Sequence, residues 1–177
     1  MTPTNLSYPI GTYQAPELIT PELRATYIAD IAAFPGRLTT ATVNLSESQL
    51  DTPYRPGGWT VRQLVHHVAD SHMNAYIRCK LTLTEDNPTI RPYDEKAWAK
   101  LPEASSEPIT LSLDLLTHLH RRWVKMLQAI SNAGFSRTYY HPGDQVQLRL
   151  DTVLGMYAWH SNHHLAHVTA LIEREGW

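Results

Sequence analysis

Residues 151–175 read DTVLGMYAWHSNHHLAHVTALIERE, a proline-free stretch that opens on polar residues and carries one apolar stripe. On a helical wheel at about 100° per residue with His160 as zero, Val153, Met156, Tyr157 and Leu171 fall within about 60° of zero. His160, His163, His164 and His167 occupy the same arc. The buried face therefore turns from apolar to imidazole for about two turns and then turns back. One histidine on such a face is an ordinary, satisfied core residue. Four within eight residues are not, because burying polar rings without partners costs about 1–3 kcal/mol each. A metal ion, with hydrogen-bonding groups behind its ligands, satisfies several imidazoles at once. The spacing i, i+4 places His160 and His164 one turn apart and able to chelate a single ion. His163 and His167 have the same spacing, and the pattern does not choose between the two pairs.

A metal site of catalytic type takes three protein ligands and keeps a fourth position open, so a second helix is needed. Residues 60–84, free of glycine and proline, form one, with His66 and His67 as the available donors. Adjacent residues point about 100° apart, so they do not share an ion easily. The apolar stripe of Val61, Leu64, Val65, Val68 and Tyr76 favours neither. Two more long helices are expected. One begins at Thr20-Pro21, a cap followed by proline in the first turn, and runs to about Leu45 with a break or kink possible at Pro35-Gly36. The other covers Thr110 to about Ala133 and ends on Gly134 as its cap. The last helix is capped by Asp151 or Thr152 and reaches about Glu175.

Between these lie an extended arm over the first twenty residues with a turn at Tyr8-Pro9-Ile10-Gly11, and a short turn after Ser46. Loops are expected at 51–58, 87–92 and 102–108, a short helix at 94–101, and a small hairpin within 137–150. The reading is all-α: a single-domain four-helix bundle over 1–177 with long connections.

Composition narrows the chemistry. The chain has 177 residues, 42 % of them hydrophobic, with fifteen Lys and Arg against seventeen Asp and Glu and a net charge of −2. No basic run offers phosphate neutralisation, so nucleic acid is not an expected partner. A single cysteine, Cys79, excludes an internal disulfide and thiolate-rich zinc or iron–sulfur sites. No segment approaches the roughly 18 apolar residues of a membrane span, and the start lacks a signal-peptide pattern, so a cytoplasmic location is expected. Ten histidines stand out, seven of them in two windows at 66–72 and 160–167. All-imidazole ligation suits zinc, nickel, copper or ferrous iron. No His-Glu-x-x-His or Glu-x-x-His is present, so metalloprotease and carboxylate-bridged di-iron patterns are absent. Asp114 with His118 and the pair Arg121-Arg122 read as surface, and His118, His120 and His141 as surface or turn residues.

The segment from Gly58-Trp59-Thr60 through His66-His67 to Met73-Asn74 resembles the signature of the DinB/YfiT-like metal-dependent hydrolase family. Arg91-Pro92-Tyr93-Asp94-Glu95-Lys96-Ala97-Trp98, Tyr140-His141-Pro142 and Trp159-His160-Ser161-Asn162-His163-His164-Leu165-Ala166-His167 agree with it. The likeness spans nearly the whole chain and is nearest the YfiT-like subgroup of a bacillithiol transferase-like superfamily.

It implies one divalent ion, zinc or nickel, held by three histidines in a four-helix bundle. The ligand on the second long helix lies eight residues after Trp59, which is His67, and the other two match His160 and His164. Many members continue Arg-Gly-Gln after the last ligand, whereas Leu165-Ala166-His167 follows here, so substrates do not transfer from distant members. A homodimer and a small-molecule substrate are also implied. Zinc held by three neutral imidazoles lowers the pKa of water to about 7, which makes hydrolysis of an ester, amide or similar electrophile the expected activity. A low-molecular-weight thiol, such as bacillithiol or mycothiol, added to an electrophile is the alternative reaction. A metal-stabilised bundle that binds a partner is the non-catalytic alternative. Asp70, Asn74 and His163 are the candidate partners behind the ligands or proton carriers, and no catalytic base is evident.

Overall fold

A computed structural model describes residues 5–177, so the first four residues of the expected arm lie outside it. The four long helices are α1 (Pro21–Thr42), α3 (Val61–Thr84), α6 (Ile109–Gln128) and α8 (Leu150–Glu175). Four short helices lie between them: α2 (Glu47–Leu50), α4 (Glu95–Trp98), α5 (Pro102–Ser106) and α7 (Asn132–Phe135). A two-stranded antiparallel hairpin, β1 (Thr138–His141) with β2 (Val146–Arg149), precedes α8, and Tyr139 sits opposite Leu148.

Local chemistry starts these helices where the sequence indicates. The Thr20 hydroxyl accepts the Leu23 N–H with Pro21 in the first turn, and Ser46 and Thr60 each form a reciprocal capping box with Gln49 and Gln63. Gly176 closes α8 at φ +73°, a left-handed cap that a side chain would strain.

Several boundaries differ from expectation: α1 ends at Thr42 rather than near Leu45, and the short helix expected over 94–101 covers only Glu95–Trp98. Residues 102–106 form α5, started by Pro102 in its first turn, where a loop was expected. The third long helix stops at Gln128, because Ser131 accepts the Gly134 N–H and starts the separate turn α7. Gly134 therefore lies inside α7, where a Cβ would meet the Ile130 side chain at 2.7 Å, and is no cap. Neither Asp151 nor Thr152 caps α8: the helix begins at Leu150, and Asp151 instead pairs with Arg149 at 2.6 Å. Pro35 does not break α1, which runs through it.

α1 packs against α6 and α8, and α3 packs against the same two helices. The consecutive long helices α1 and α3 thus stand at opposite corners of the bundle, joined by the long connection that contains α2. Burial divides the interior into two apolar cores. One gathers Phe34, Leu38, Val65, Val68, Leu116 and Val168; the other gathers Ile31, Ala75, Trp123, Leu127, Leu154 and Tyr157. Along α3 the change of core falls between Ala69 and Ala75, along α6 between Leu116 and Trp123, and along α8 between Ala158 and Leu165. His72, His120, His160 and His164 lie in those intervals and His67 just beside one, so the polar residues form a layer across the middle of the bundle.

Candidate metal centre

α3 and α8 supply the centre. His67 projects from α3, and His160 and His164 stand one turn apart on α8, with donor nitrogens that all lie within 4.8 Å of one another. The Nε2 atoms of His160 and His164 are 3.1 Å apart, and their rings meet edge to face at 4.4 Å. The His67 ring lies 5.1 Å from that of His164, and Trp59 covers it at 4.4 Å. Burial pushes the His67 imidazole down to about 4. Burial first, and then the neighbouring imidazoles, hold His160 and His164 well below the usual histidine range. All three are therefore neutral near pH 7, with lone pairs available as metal ligands require.

The neighbouring His66 faces elsewhere: its ring nitrogens meet the Ser112 hydroxyl at 2.7 Å and the Glu107 carbonyl at 3.1 Å. A second trio, His163, His164 and His167, brings its donor atoms within the same 4.8 Å and shares His164. His163 stacks on Trp159 at 4.5 Å and His167 on Tyr54 at 4.1 Å. The Nδ1 atoms of His163, His164 and His167 are buried without a hydrogen-bond partner among the described residues. Burial lowers both His163 and His167 to about 4. A cleft of about 680 Å³ opens over this face, lined by Tyr8, Tyr54, Trp59, His163, His164 and His167 and rimmed by Arg55, Lys96, Lys100 and Glu95.

Asp70 and Asn74 make no hydrogen bond to a histidine among the described residues. Asn74 donates to the Asp70 carbonyl at 2.9 Å, within its own helix, and burial raises the Asp70 carboxyl to about 6. Two further histidines do reach the centre. His72, fully buried, meets His160 Nδ1 through Nε2 at 3.1 Å and His120 Nε2 through Nδ1 at 2.8 Å. The expectation that His120 lies at the surface is thus corrected, since it is 1 % exposed. The buried α6 positions Leu113, Leu116, His120, Trp123 and Leu127 repeat every three or four residues, a stripe that already included it. His118 and Asp114 are exposed as expected. Cys79 is a buried packing residue whose thiol burial pushes up to about 12.

These imidazole groups can hold a metal ion, and among the described residues no helix is long and apolar enough to cross a membrane. Residues 31–168 match the DinB superfamily. YfiT of Bacillus subtilis, named as a metal-dependent hydrolase, is 51 % identical over 177 residues, covering 100 % of this chain and 99 % of that protein. A Bacillus pumilus protein with a metal-dependent hydrolase name is 53 % identical over 174 residues, 98 % of this chain and 99 % of its own. A solved structure of Bacillus subtilis YfiT, described as "a probable metal-dependent hydrolase with an unusual four-helix bundle topology", superposes with a TM-score of 0.96, covering 98 % of this chain and 99 % of that one. By matched length, identity and fold, the chain belongs to the DinB superfamily and, within it, to the YfiT-like proteins.

Proposed function

We propose that this protein is a hydrolase-type enzyme in which His67, His160 and His164 hold one divalent ion, zinc in preference to nickel. The observation that carries the reading is the convergence of three neutral imidazoles from two helices, two of them with Nε2 atoms 3.1 Å apart. Ligands about 2.1 Å from a tetrahedral ion stand roughly 3.4 Å from each other, so the donor set fits with a small displacement. The rival trio lies along α8 alone, and its His167 Nε2 faces the Ser7 carbonyl at 3.4 Å. A divalent ion held by these three imidazoles would keep its charge, supply Lewis acidity and lower the pKa of water to about 7.

The chain's own residues do the rest. Trp59 shields His67 from water, and Tyr8 and Trp159 fix the His163 ring at the cleft wall. Arg55, Lys96 and Lys100 outnumber Glu95 at the rim and suit a small substrate that carries negative charge. His163 and His167, both near 4, are weak proton acceptors at neutral pH. A second reading fits the same weakness, transfer of a low-molecular-weight thiol to an electrophile, since a thiol held on a divalent ion would release its proton to solvent without a protein base.

Zinc and nickel titrations of the unaltered chain and of His67→Ala, His160→Ala, His164→Ala and His66→Ala test the ligand set. Stoichiometric binding is expected to be lost in the first three variants and kept in the fourth, with helicity largely retained. Equal binding by His66→Ala and His67→Ala overturns it. Turnover of the loaded protein on esters and amides, against thiol-plus-electrophile pairs, then separates the two reactions.

A further inference from the structure

We propose that Pro35, His120 and His72 form a lock behind the centre that fixes the tautomer of His160 and holds its Nε2 lone pair toward the ion. The inference rests on the reading of His160 as a ligand. Its origin lies in α1. In a helix each carbonyl accepts the N–H four residues later, and the residue four after Ile31 is Pro35, which has none. The Ile31 carbonyl is left in the bundle interior without its helical donor, and His120 Nδ1 lies 2.7 Å from it.

A carbonyl oxygen only accepts, so His120 must carry its proton on Nδ1. Its Nε2 is then an acceptor, and the His72 Nδ1 at 2.8 Å must donate to it. By the same step His72 Nε2 accepts, and His160 Nδ1, 3.1 Å away, must donate. That leaves His160 Nε2 unprotonated, its lone pair turned to the side of His67 and His164, whose own Nε2 lies 3.1 Å away. An extra proton anywhere in this file would bury a cation beside no carboxylate, since His72 and His120 are 0 % and 1 % exposed and bond only to each other, His160 and Ile31. One backbone carbonyl thus dictates three protonation sites in sequence. Because the file ends on an oxygen that holds no proton, it cannot carry protons away from the centre. It is a positioning device, with His72 and His120 acting through His160.

The test reads tautomers and metal affinity, with zinc as the probe. Nitrogen-15 spectra of the zinc-free chain are expected to show His72, His120 and His160 all protonated at Nδ1. His120→Leu, which removes the link to Ile31, is expected to raise the zinc Kd by about 10- to 100-fold, as loss of a group behind a metal ligand commonly does, and to leave His160 in mixed tautomers. His120→Gln, whose amide can donate to Ile31 and accept from His72, is expected to regain most of the affinity and the single tautomer. If the leucine variant folds poorly, the tautomers of the unaltered chain and the glutamine variant still decide. His160 protonated at Nε2 in the zinc-free chain overturns the lock. So does an unchanged zinc Kd in a folded leucine variant. A chain that binds neither zinc nor nickel overturns the ligand reading and, with it, the purpose of the lock.

Discussion

His66 and His67 are neighbours in sequence with opposite employment. His67 turns to the α8 imidazoles, while both ring nitrogens of His66 are taken by Ser112 and the Glu107 carbonyl. A buried imidazole with two partners is a stability device. His66→Ala removes both bonds and leaves the Ser112 hydroxyl buried beside a cavity, so a loss of about 1–3 kcal/mol is expected. Urea unfolding of the zinc-free variant measures that loss, and a zinc titration of the folded variant should show unchanged stoichiometry. A variant as stable as the parent would mean that the His66 bonds contribute nothing net. The sequence pattern alone could not choose between the two histidines, because each lies off the centre of the apolar stripe and the choice depends on where α6 and α8 stand. The contact between His72 and His120 was hidden for the same reason, although the α6 stripe already marked His120 as buried. Their meeting joins two residues 48 apart in sequence on different helices, and a wheel drawn for one helix does not show its partners.

The long helices were legible because their signals are local: threonine and serine caps, a proline in the first turn, and stripes of period 3.6. Arrangement was less so. No pattern announces that α1 and α3 stand at opposite corners, nor that the N-terminal arm lies along α8. The arm is seated by a notch. Tyr13 donates to the Thr152 carbonyl at 3.3 Å, Trp159 donates to the Gly11 carbonyl at 3.2 Å, and a Cβ on Gly155 would stand 2.5 Å from the Tyr13 oxygen and 2.9 Å from the Tyr27 ring. Glycine inside a helix costs about 1 kcal/mol relative to alanine, so its presence there marks a close approach. Gly155→Ala regains that amount in α8 but forces both tyrosines aside, at about 1–3 kcal/mol for an overpacked contact. The expected result is a net loss of up to about 2 kcal/mol together with an arm that proteases cut near residues 5–18 faster than in the parent. Unchanged cleavage with a raised melting temperature would show that the arm is not held by this notch.

A layer of imidazoles between two apolar cores makes the bundle sensitive to acid. Burial holds His67 and His120 near 4 and keeps His72, His160 and His164 well below their unfolded value of 6.5. Between those limits the unfolded chain binds protons that the folded chain refuses, so stability is fully present above pH 6.5 and falls as the pH drops. Each group withdraws up to about 1.4 kcal/mol per pH unit until its folded value is reached. The zinc-free protein, kept so with a chelator, is therefore expected to lose stability steadily as the pH falls below 6.5. Zinc competes with protons for three of the five groups and binds only the folded chain, so excess zinc should move the acid midpoint downward, and His67→Ala should abolish most of that movement. Unfolding midpoints in urea measured at half-unit steps from pH 7.5 to 5, with and without zinc, check both parts. A flat profile without zinc would mean that the layer opens to water before the cores part, because only hydrated imidazoles can take protons at their ordinary values without weakening the fold.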